Sequence, residues 1–242
     1  MVEDQAAKTT QWKIVCLIAA IGLLFLACIV VISGFFLYFI VSRVRSQMLP
    51  TEVIVRNTPV SYQNADGLKL CAPNAKVMID VFDDFKCEAC ETYSKIVEPL
   101  VVNRLVNTGK ACYIFHNYPF LDDHTQEKES DIASHAAMCA AEQDRFWDFK
   151  DLLFANLYIS PGIFTDSRME AFAGTLEMDM GQFKQCLTLR RYQAEIEADI
   201  ELAKQWDVQG VPSVFVNRRV ISPGYLPTFE KINAAVEEAL QE

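Results

Sequence analysis

The sequence predicts an α/β domain that follows a single membrane-spanning helix, and three observations lead to this fold class. Residues 14–41 contain no Asp, Glu, Lys or Arg, and at about 1.5 Å per residue this run can cross a bilayer core of about 30 Å. Between residues 77 and 118, two runs of β-forming residues flank a helical pattern. A block of helical patterns then separates this unit from a final strand pair and helix.

The apolar run is predicted to be an uncleaved membrane anchor. A secretory signal has an apolar region of about 7–15 residues and a small-residue cleavage site, whereas this run is longer and a basic segment follows it. Positive residues flank both ends, so charge alone does not orient the anchor. The N-terminal region is therefore divided into a tail at 1–13, a transmembrane helix at 14–41, and a linker at 42–75 with at most one short strand, at 53–55.

The remainder of the chain is long enough for one core with an inserted subdomain. The first strand, helix and second strand form a β-α-β unit, whose two strands should be parallel. In chain order, the predicted elements are a strand at 77–82, a helix at about 87–107, a strand at 111–118, helical segments at 132–157, 166–176 and 180–206, a hairpin formed by 213–217 and 220–221, and an amphipathic helix at 227–240.

A Cys-x-x-Cys pair, Cys87 and Cys90, stands where the first strand meets the following helix. Residues i and i+3 of a helix are about 5–6 Å apart, which is within reach of a disulfide. At the helix start, unpaired N–H groups and the helix dipole stabilise a Cys87 thiolate, while Cys90 is one turn in and more buried. The pattern predicts a catalytic pair in which Cys87 attacks and Cys90 resolves. A zinc half-site, which needs a second Cys/His pair, and two ordinary core cysteines are the alternatives.

The pair Val211-Pro212 precedes the predicted hairpin. A proline that enters a strand belongs at its first residue, and a cis bond there would turn the Val211 backbone toward a neighbouring loop. That backbone could pair with a substrate chain, which makes Val211 and Pro212 candidate substrate-binding residues. A trans proline that ends a loop is the alternative.

The other cysteines are interpreted through the redox compartment. Outside the apolar run the number of cysteines is even, which suits an oxidising compartment. Cys139 and Cys186 lie on different predicted helices, and we expect a structural disulfide between them, with two buried free thiols as the alternative. Cys71 and Cys112 are assigned no role, and Cys112 is expected to be a small core residue.

No cofactor, metal or nucleic acid is expected to bind. The net charge of −10 disfavours nucleic acid, because phosphates repel an acidic surface. None of the histidines has a metal-ligand spacing with another histidine or with a cysteine pair. They are His116, His124 and His135.

Three segments together carry a family resemblance: Asp84-Phe-Lys-Cys-Glu-Ala-Cys90, AAEQDRFW at 140–147, and Gly210-Val-Pro-Ser-Val-Phe-Val-Asn217. In this order they resemble the DsbA-like thiol:disulfide oxidoreductases of the thioredoxin superfamily. The resemblance implies a thioredoxin fold at 76–242 with a helical subdomain inserted at about 127–208. It also implies that Cys87 is the nucleophile, that Cys90 is the resolving thiol, that Pro212 is cis, and that the domain is extracytoplasmic, on the periplasmic side.

The chain departs from this family around the cysteines. The family usually has Pro and then an aromatic residue or His between them, where this chain has Glu88-Ala89. Many members also carry a buried acid six residues before the first cysteine, as a proton acceptor for the resolving thiol, where this chain has Val81. Asp80, one residue earlier, should face the opposite side of the strand.

The expected function is a membrane-anchored thiol:disulfide oxidoreductase, either an oxidase or a reductant. It would exchange disulfides with exported cysteine-containing proteins through Cys87 and Cys90, and a membrane redox partner would recycle the pair. The alternative is a non-enzymatic accessory or binding subunit of a larger membrane complex. The retained Cys-x-x-Cys pair argues against that alternative.

Overall fold

A computed structural model of the protein describes residues 21–41, 53–55, 60–124, 128–157 and 162–242. The chain forms two compact units, Met1–Thr51 and Glu52–Glu242. In the first unit, helix α1 (Ile21–Val41) has the length and apolar composition needed to cross a membrane. The predicted tail at 1–13 and the predicted helical residues 14–20 lie outside the described residues.

Within the described residues of the second unit, six strands form a mixed sheet in the order β1-β2-β4-β3-β5-β6. The central pair, β3 and β4, is parallel, and every other neighbouring pair is antiparallel. The strands are β1 (Ala65–Asp66), β2 (Lys69–Leu70), β3 (Val77–Asp83), β4 (Ala111–Asn117), β5 (Ser213–Val216) and β6 (Arg219–Pro223).

Helices cover both faces of this sheet and form the insertion between β4 and β5. The helix after β3 alternates α-helical segments with π-helical turns at Tyr93–Val97 and Val102–Val106. The α-helical segments of the unit are α2 (Glu88–Thr92), α3 (Glu98–Val101), α4 (Glu129–Ala141), α5 (Phe146–Ala155), α6 (Asp166–Thr175), α7 (Met180–Thr188), α8 (Gln193–Gln205) and α9 (Phe229–Ala239).

The predicted α/β architecture is confirmed, and it determines where the cysteines lie. Strands β3 and β4 are buried along almost their whole length, as expected of central parallel strands covered on both faces. Their register runs from Val77 beside Ala111 to Asp83 beside Asn117. The carboxyl end of β3 therefore lies inside the fold, and the chain turns there directly into α2.

Two predicted helices of the insertion are each divided in the structure. The predicted helix at 132–157 becomes α4 and α5, and the predicted helix at 180–206 becomes α7 and α8. Asp144 and Arg190, between the members of each pair, have positive φ values of 57° and 45°. A residue in this left-handed region ends the right-handed helix before it.

The described part of the predicted linker at 42–75 contains two short strands, β1 and β2, and none at 53–55. Strands β1 and β2 pair with each other, and β2 extends the sheet by pairing with β4. Upstream of them, the Tyr62 ring stacks on Trp147 with ring centroids 5.0 Å apart. The described part of this segment from Tyr62 onwards therefore packs on the domain, while the start of the domain at residue 76 stays a prediction.

Candidate active site

Cys87 is the N-cap residue of α2. Its extended backbone (φ −89°, ψ 120°) lets the sulfur accept a hydrogen bond from the Cys90 backbone N–H, with Sγ and N 3.2 Å apart. A turn closed by the Cys87 N–H and the Asp84 carbonyl, 3.0 Å apart, brings the chain from β3 into this position. The N-terminal donors of the helix therefore point at the sulfur.

The two thiols are in different environments. Cys87 is 8% exposed, whereas Cys90 is fully buried. Hydrogen bonds from Cys90, and from the backbone N–H groups at the helix start, lower the Cys87 pKa against the opposing effect of burial. Burial, followed by the interactions with Cys87 and Asp83, holds the Cys90 pKa well above its ordinary value. Cys87 is thus the better nucleophile and Cys90 is a thiol that keeps its proton.

The loop that connects β3 to α2 is fixed from the insertion side. The Asp84 carboxylate accepts hydrogen bonds from the Lys86 N–H at 2.7 Å and the Leu121 N–H at 2.8 Å. Burial nevertheless raises the Asp84 pKa to about 6. Lys86 forms an ion pair with Glu129 at the start of α4, which ties the residue beside Cys87 to the helical insertion.

The Val211-Pro212 segment lies against Cys87, and its peptide bond is cis. The Val211 carbonyl oxygen is 3.6 Å from the Cys87 sulfur, which donates to it. Gly224 supports this loop at backbone contact: a Cβ placed there would lie 2.8 Å from the Gly210 Cα. The structure therefore brings Cys87, Cys90, Val211 and Pro212 into one site.

A buried polar network, which the sequence analysis did not identify, lies on the same side of the sheet. The Lys150 ammonium is fully buried and donates to Glu98 at 2.7 Å, Asp151 at 3.0 Å and Ser94 at 3.1 Å. The other Glu98 oxygen accepts from the Tyr113 hydroxyl at 3.1 Å. Burial would lower the Lys150 pKa, but the two carboxylates overcome it and raise that pKa.

Asp83, at the end of β3, was also missed from the sequence. It is fully buried, and neither carboxylate oxygen has a hydrogen-bond partner among the described residues. Burial and the nearby charge of Cys87 hold its pKa well above the ordinary value. Strand alternation could have indicated it, because Asp83 is two residues beyond Val81 and faces the same way.

The opposite face of the sheet carries a fully paired cluster, formed by Asp80, His116 and Asp199. The His116 ring nitrogens lie 2.8 Å from Asp199 and 3.1 Å from Asp80. Burial would lower the His116 pKa, but the hydrogen bonds that the ring donates to both carboxylates raise it to about 9. As expected, Asp80 faces away from the cysteines.

Four other cysteines of the second unit form disulfides in the structure. Cys139 of α4 is joined to Cys186 of α7. Cys71 is joined to Cys112 of β4, a pairing that the sequence analysis did not assign. Within the described ranges, no group of three or more His, Cys, Asp or Glu side chains is arranged to hold a metal ion.

Comparisons with known proteins agree with this fold. The family model described as thioredoxin matches residues 64–238, so the chain belongs to the thioredoxin family. The chain is 26% identical over 230 residues to a probable disulfide bond formation protein D of Bacillus anthracis, which covers 92% of this chain and 96% of that protein.

Two crystal structures have a similar fold. BdbD from Bacillus subtilis, in its oxidised form, matches 79% of this chain and 100% of its own, with a TM-score of 0.62 and 22% identity. DsbA from Chlamydia trachomatis matches 79% of this chain and 98% of its own, with a TM-score of 0.59 and 19% identity. Each is a distant relative in sequence that shares the architecture.

Proposed function

We propose that this protein is a thiol:disulfide oxidoreductase that exchanges disulfides with exported proteins through Cys87 and Cys90. The observation that carries the proposal is the asymmetry of the pair. One sulfur caps a helix and accepts an N–H hydrogen bond at 3.2 Å, while its partner is fully buried one turn away. A lowered pKa on the first thiol and a raised pKa on the second suit attack by one and resolution by the other.

The exchange is reversible at Cys87. In the oxidising direction, a substrate thiolate attacks Cys87 of the Cys87–Cys90 disulfide, which forms a mixed disulfide and releases Cys90. A second substrate thiolate then forms the substrate disulfide and releases the Cys87 thiolate. In the reducing direction the same steps run backward, and Cys90 releases the substrate from Cys87.

Val211 supplies the expected docking position for the substrate backbone. Its carbonyl oxygen lies 3.6 Å from the Cys87 sulfur, so a chain that pairs with this backbone would bring its own cysteine close to Cys87. Main-chain pairing is tolerant of sequence, because side chains do not take part in the hydrogen bonds. This suits an enzyme that acts on many exported proteins.

We infer that residues 14–41 anchor the domain to the cell membrane, with Cys87 on the extracytoplasmic side. Helix α1 has the required length and composition. Disulfides at Cys139–Cys186 and Cys71–Cys112 are typical of an oxidising compartment. The related Bacillus anthracis protein is named for disulfide bond formation. A membrane redox partner would restore the Cys87–Cys90 pair after each turnover.

A non-enzymatic accessory subunit of a larger membrane complex is the competing function. Such a module would bind its partners without needing two free cysteines at exchange geometry. Cys87 and Cys90 are both free cysteines, and the Cys90 backbone N–H donates a hydrogen bond to the Cys87 sulfur. The retained pair favours the enzyme.

Cysteine trapping in cells tests this function. We expect Cys90→Ser to accumulate mixed disulfides between Cys87 and exported proteins, because the attacking sulfur then has no partner to release the substrate. We expect Cys87→Ser to form no adducts and to reduce exchange to the uncatalysed rate. Non-reducing electrophoresis followed by mass spectrometry identifies the trapped proteins.

Cys28→Ser is the matched control, since Cys28 is a free cysteine of α1. It should change neither the adducts nor the exchange rate. Adducts made mainly with cytosolic proteins would contradict the proposed location. If Cys90→Ser traps nothing and the parent chain does not exchange disulfides, the accessory function is correct instead.

A further inference from the structure

The resolving thiol has an unpaired carboxyl group as a neighbour. Cys90 and Asp83 are both fully buried, and the two Asp83 oxygens have no hydrogen-bond partner among the described residues. A buried carboxyl group without a partner is costly, and such groups are rare unless they have a chemical use. Asp83 is therefore a candidate for a chemical role in the site.

Strand geometry places Asp83 on the cysteine side of the sheet. Alternate residues of a strand face the same way, so Asp83 shares a face with Val81, while Asp80 and Phe82 face His116 on the other side. Burial raises the Asp83 pKa, and the neighbouring Cys90 thiol has a smaller effect that lowers it. The two groups lie near one another but do not form a hydrogen bond of normal geometry.

Among the described residues, no cation forms an ion pair with Asp83. Lys150 lies close enough to lower its pKa slightly, but the Lys150 ammonium is bonded to Glu98, Asp151 and Ser94. The titratable groups that interact with Asp83 come from several elements packed around it. They are Cys87 and Cys90 around α2, Glu98 of α3, Lys150 of α5, and the buried hydroxyls of Tyr93 and Tyr113.

We propose that Asp83 is the acid–base residue that exchanges a proton with Cys90 during each redox step. This assignment rests on the proposed function, because it supplies the proton balance for the resolving thiol. The residue lies four positions before Cys87, not at the family position occupied by Val81. The acid is thus displaced by two residues along the strand and remains on the same face.

Each proton transfer is balanced. When substrate attack breaks the Cys87–Cys90 bond, Cys90 leaves as a thiolate in a site where water does not reach it. The Asp83 carboxyl group gives its proton to that sulfur and becomes a carboxylate. In the reverse direction the carboxylate takes the Cys90 proton, the Cys90 sulfur attacks Cys87, and the substrate sulfur leaves with the electron pair of the broken bond.

The position of Asp83 suits both directions. Burial and the Cys87 charge raise its pKa, which favours the protonated form more than in an exposed aspartate. Burial also raises the Cys90 pKa, so the two groups can share a proton more evenly than an exposed acid and a thiol could. An exposed aspartate would be too weak a base for this thiol.

The test uses one equivalent of the aromatic disulfide 5,5′-dithiobis(2-nitrobenzoate) on the reduced full-length chain in detergent micelles. Attack by Cys87 releases one thionitrobenzoate, and resolution by Cys90 releases a second, so stopped-flow absorbance separates the two steps. We expect Asp83→Asn to slow the second release about 100-fold at pH 7, a typical contribution of general acid–base catalysis. The second release should then rise about tenfold per pH unit, because hydroxide replaces the carboxylate.

The first release should stay within about twofold of the parent rate, since Asp83 acts on Cys90. Asp80→Asn is the matched control, the same change on the same strand but on the other face, and it should alter neither release. A second release with the parent rate and pH profile in Asp83→Asn would overturn the proposal. Equal slowing of both releases would also overturn it, since that indicates a structural role.

The proposed function fails in a different way. If the parent chain gives no first release that Cys87→Ser removes, the redox pair itself is wrong. Should Asp83→Asn fail to fold, carbon-13 NMR of the parent chain decides the matter. The Asp83 carboxyl should titrate well above the ordinary aspartate range in the reduced form and shift on oxidation, whereas ordinary titration would overturn the assignment.

Discussion

Asp80 and Asp83 are buried acids on one strand, three residues apart and on opposite faces of the sheet. Asp80 is paired with His116, which also binds Asp199, so each charge in that cluster has a partner. Asp83 has no hydrogen-bond partner in the described part of the chain. A buried acid with partners stabilises the fold, while a buried acid without them is available for proton transfer.

The comparison extends to the lysine on the cysteine face. Lys150 is fully buried and forms the ion pair with Glu98 that lies beside Asp83. We expect Lys150→Met to lower the free energy of unfolding by about 3–5 kcal/mol, because it leaves buried carboxylates without their cation. This is the largest effect expected for either face.

Asp199→Asn provides the matching change on the other face. It should lower the free energy of unfolding by about 1.5–3 kcal/mol, because the charged hydrogen bond between His116 and Asp199 is weakened. The effect is smaller than for Lys150→Met because Asp80 still pairs with His116. Urea unfolding of the full-length chain in detergent measures both, and Trp147 and Trp206 report from the two faces. If the two variants lose the same free energy of unfolding, the two faces do not differ in the way proposed.

Stability should fall with rising pH on both faces, but substitution of His116 and substitution of Asp83 should change it with opposite signs. The His116 pKa is about 9 when folded, against about 6.5 when unfolded. Protonation of His116 therefore adds about 3 kcal/mol to the free energy of unfolding, and this contribution is complete below pH 6.5. That contribution is lost as pH rises through 9. His116→Gln should therefore destabilise the chain at pH 6 and have little effect at pH 10.

Asp83 also has a raised pKa, in this case because it is buried and lies near the charge of Cys87. Its stability contribution is complete below the unfolded pKa and is lost as pH rises through the folded pKa. At pH 8, Asp83→Asn should therefore stabilise the chain by about 1–3 kcal/mol, since no charge is then buried unpaired. Urea unfolding of both variants across pH measures these signs. A loss of stability for Asp83→Asn at pH 8 would show that its carboxylate is paired.

The sequence predicts the parts of the site that depend on local signals. The Cys-x-x-Cys spacing after a β-rich run gives Cys87 and Cys90, and the Val-Pro pair before a late strand gives the segment beside them. The π-turns and the breaks at Asp144 and Arg190 were not predicted, because these residues carry no glycine or proline signal at the break. Strands β1 and β2 have only two residues each, too few for a periodic pattern.

The buried network depends on tertiary contacts that no local pattern contains. Lys150 reaches Glu98 from a helix 52 residues away in sequence, and charged side chains in a helical pattern ordinarily indicate a solvated face. Asp83 is an intermediate case. Its alternation with Val81 predicts the correct face, but only the three-dimensional structure places it beside a buried thiol with no other partner.

The unequal pair of thiols is the central claim, and alkylation by iodoacetamide as a function of pH tests it most directly. Rates from the reduced full-length chain, mapped by mass spectrometry, report the reactivity of each thiol. We expect Cys87 to react first, with a thiolate that titrates below the ordinary cysteine value, while Cys90 stays unmodified. Modification of Cys90 before Cys87, or a Cys87 thiolate that titrates at or above the ordinary value, would contradict the account.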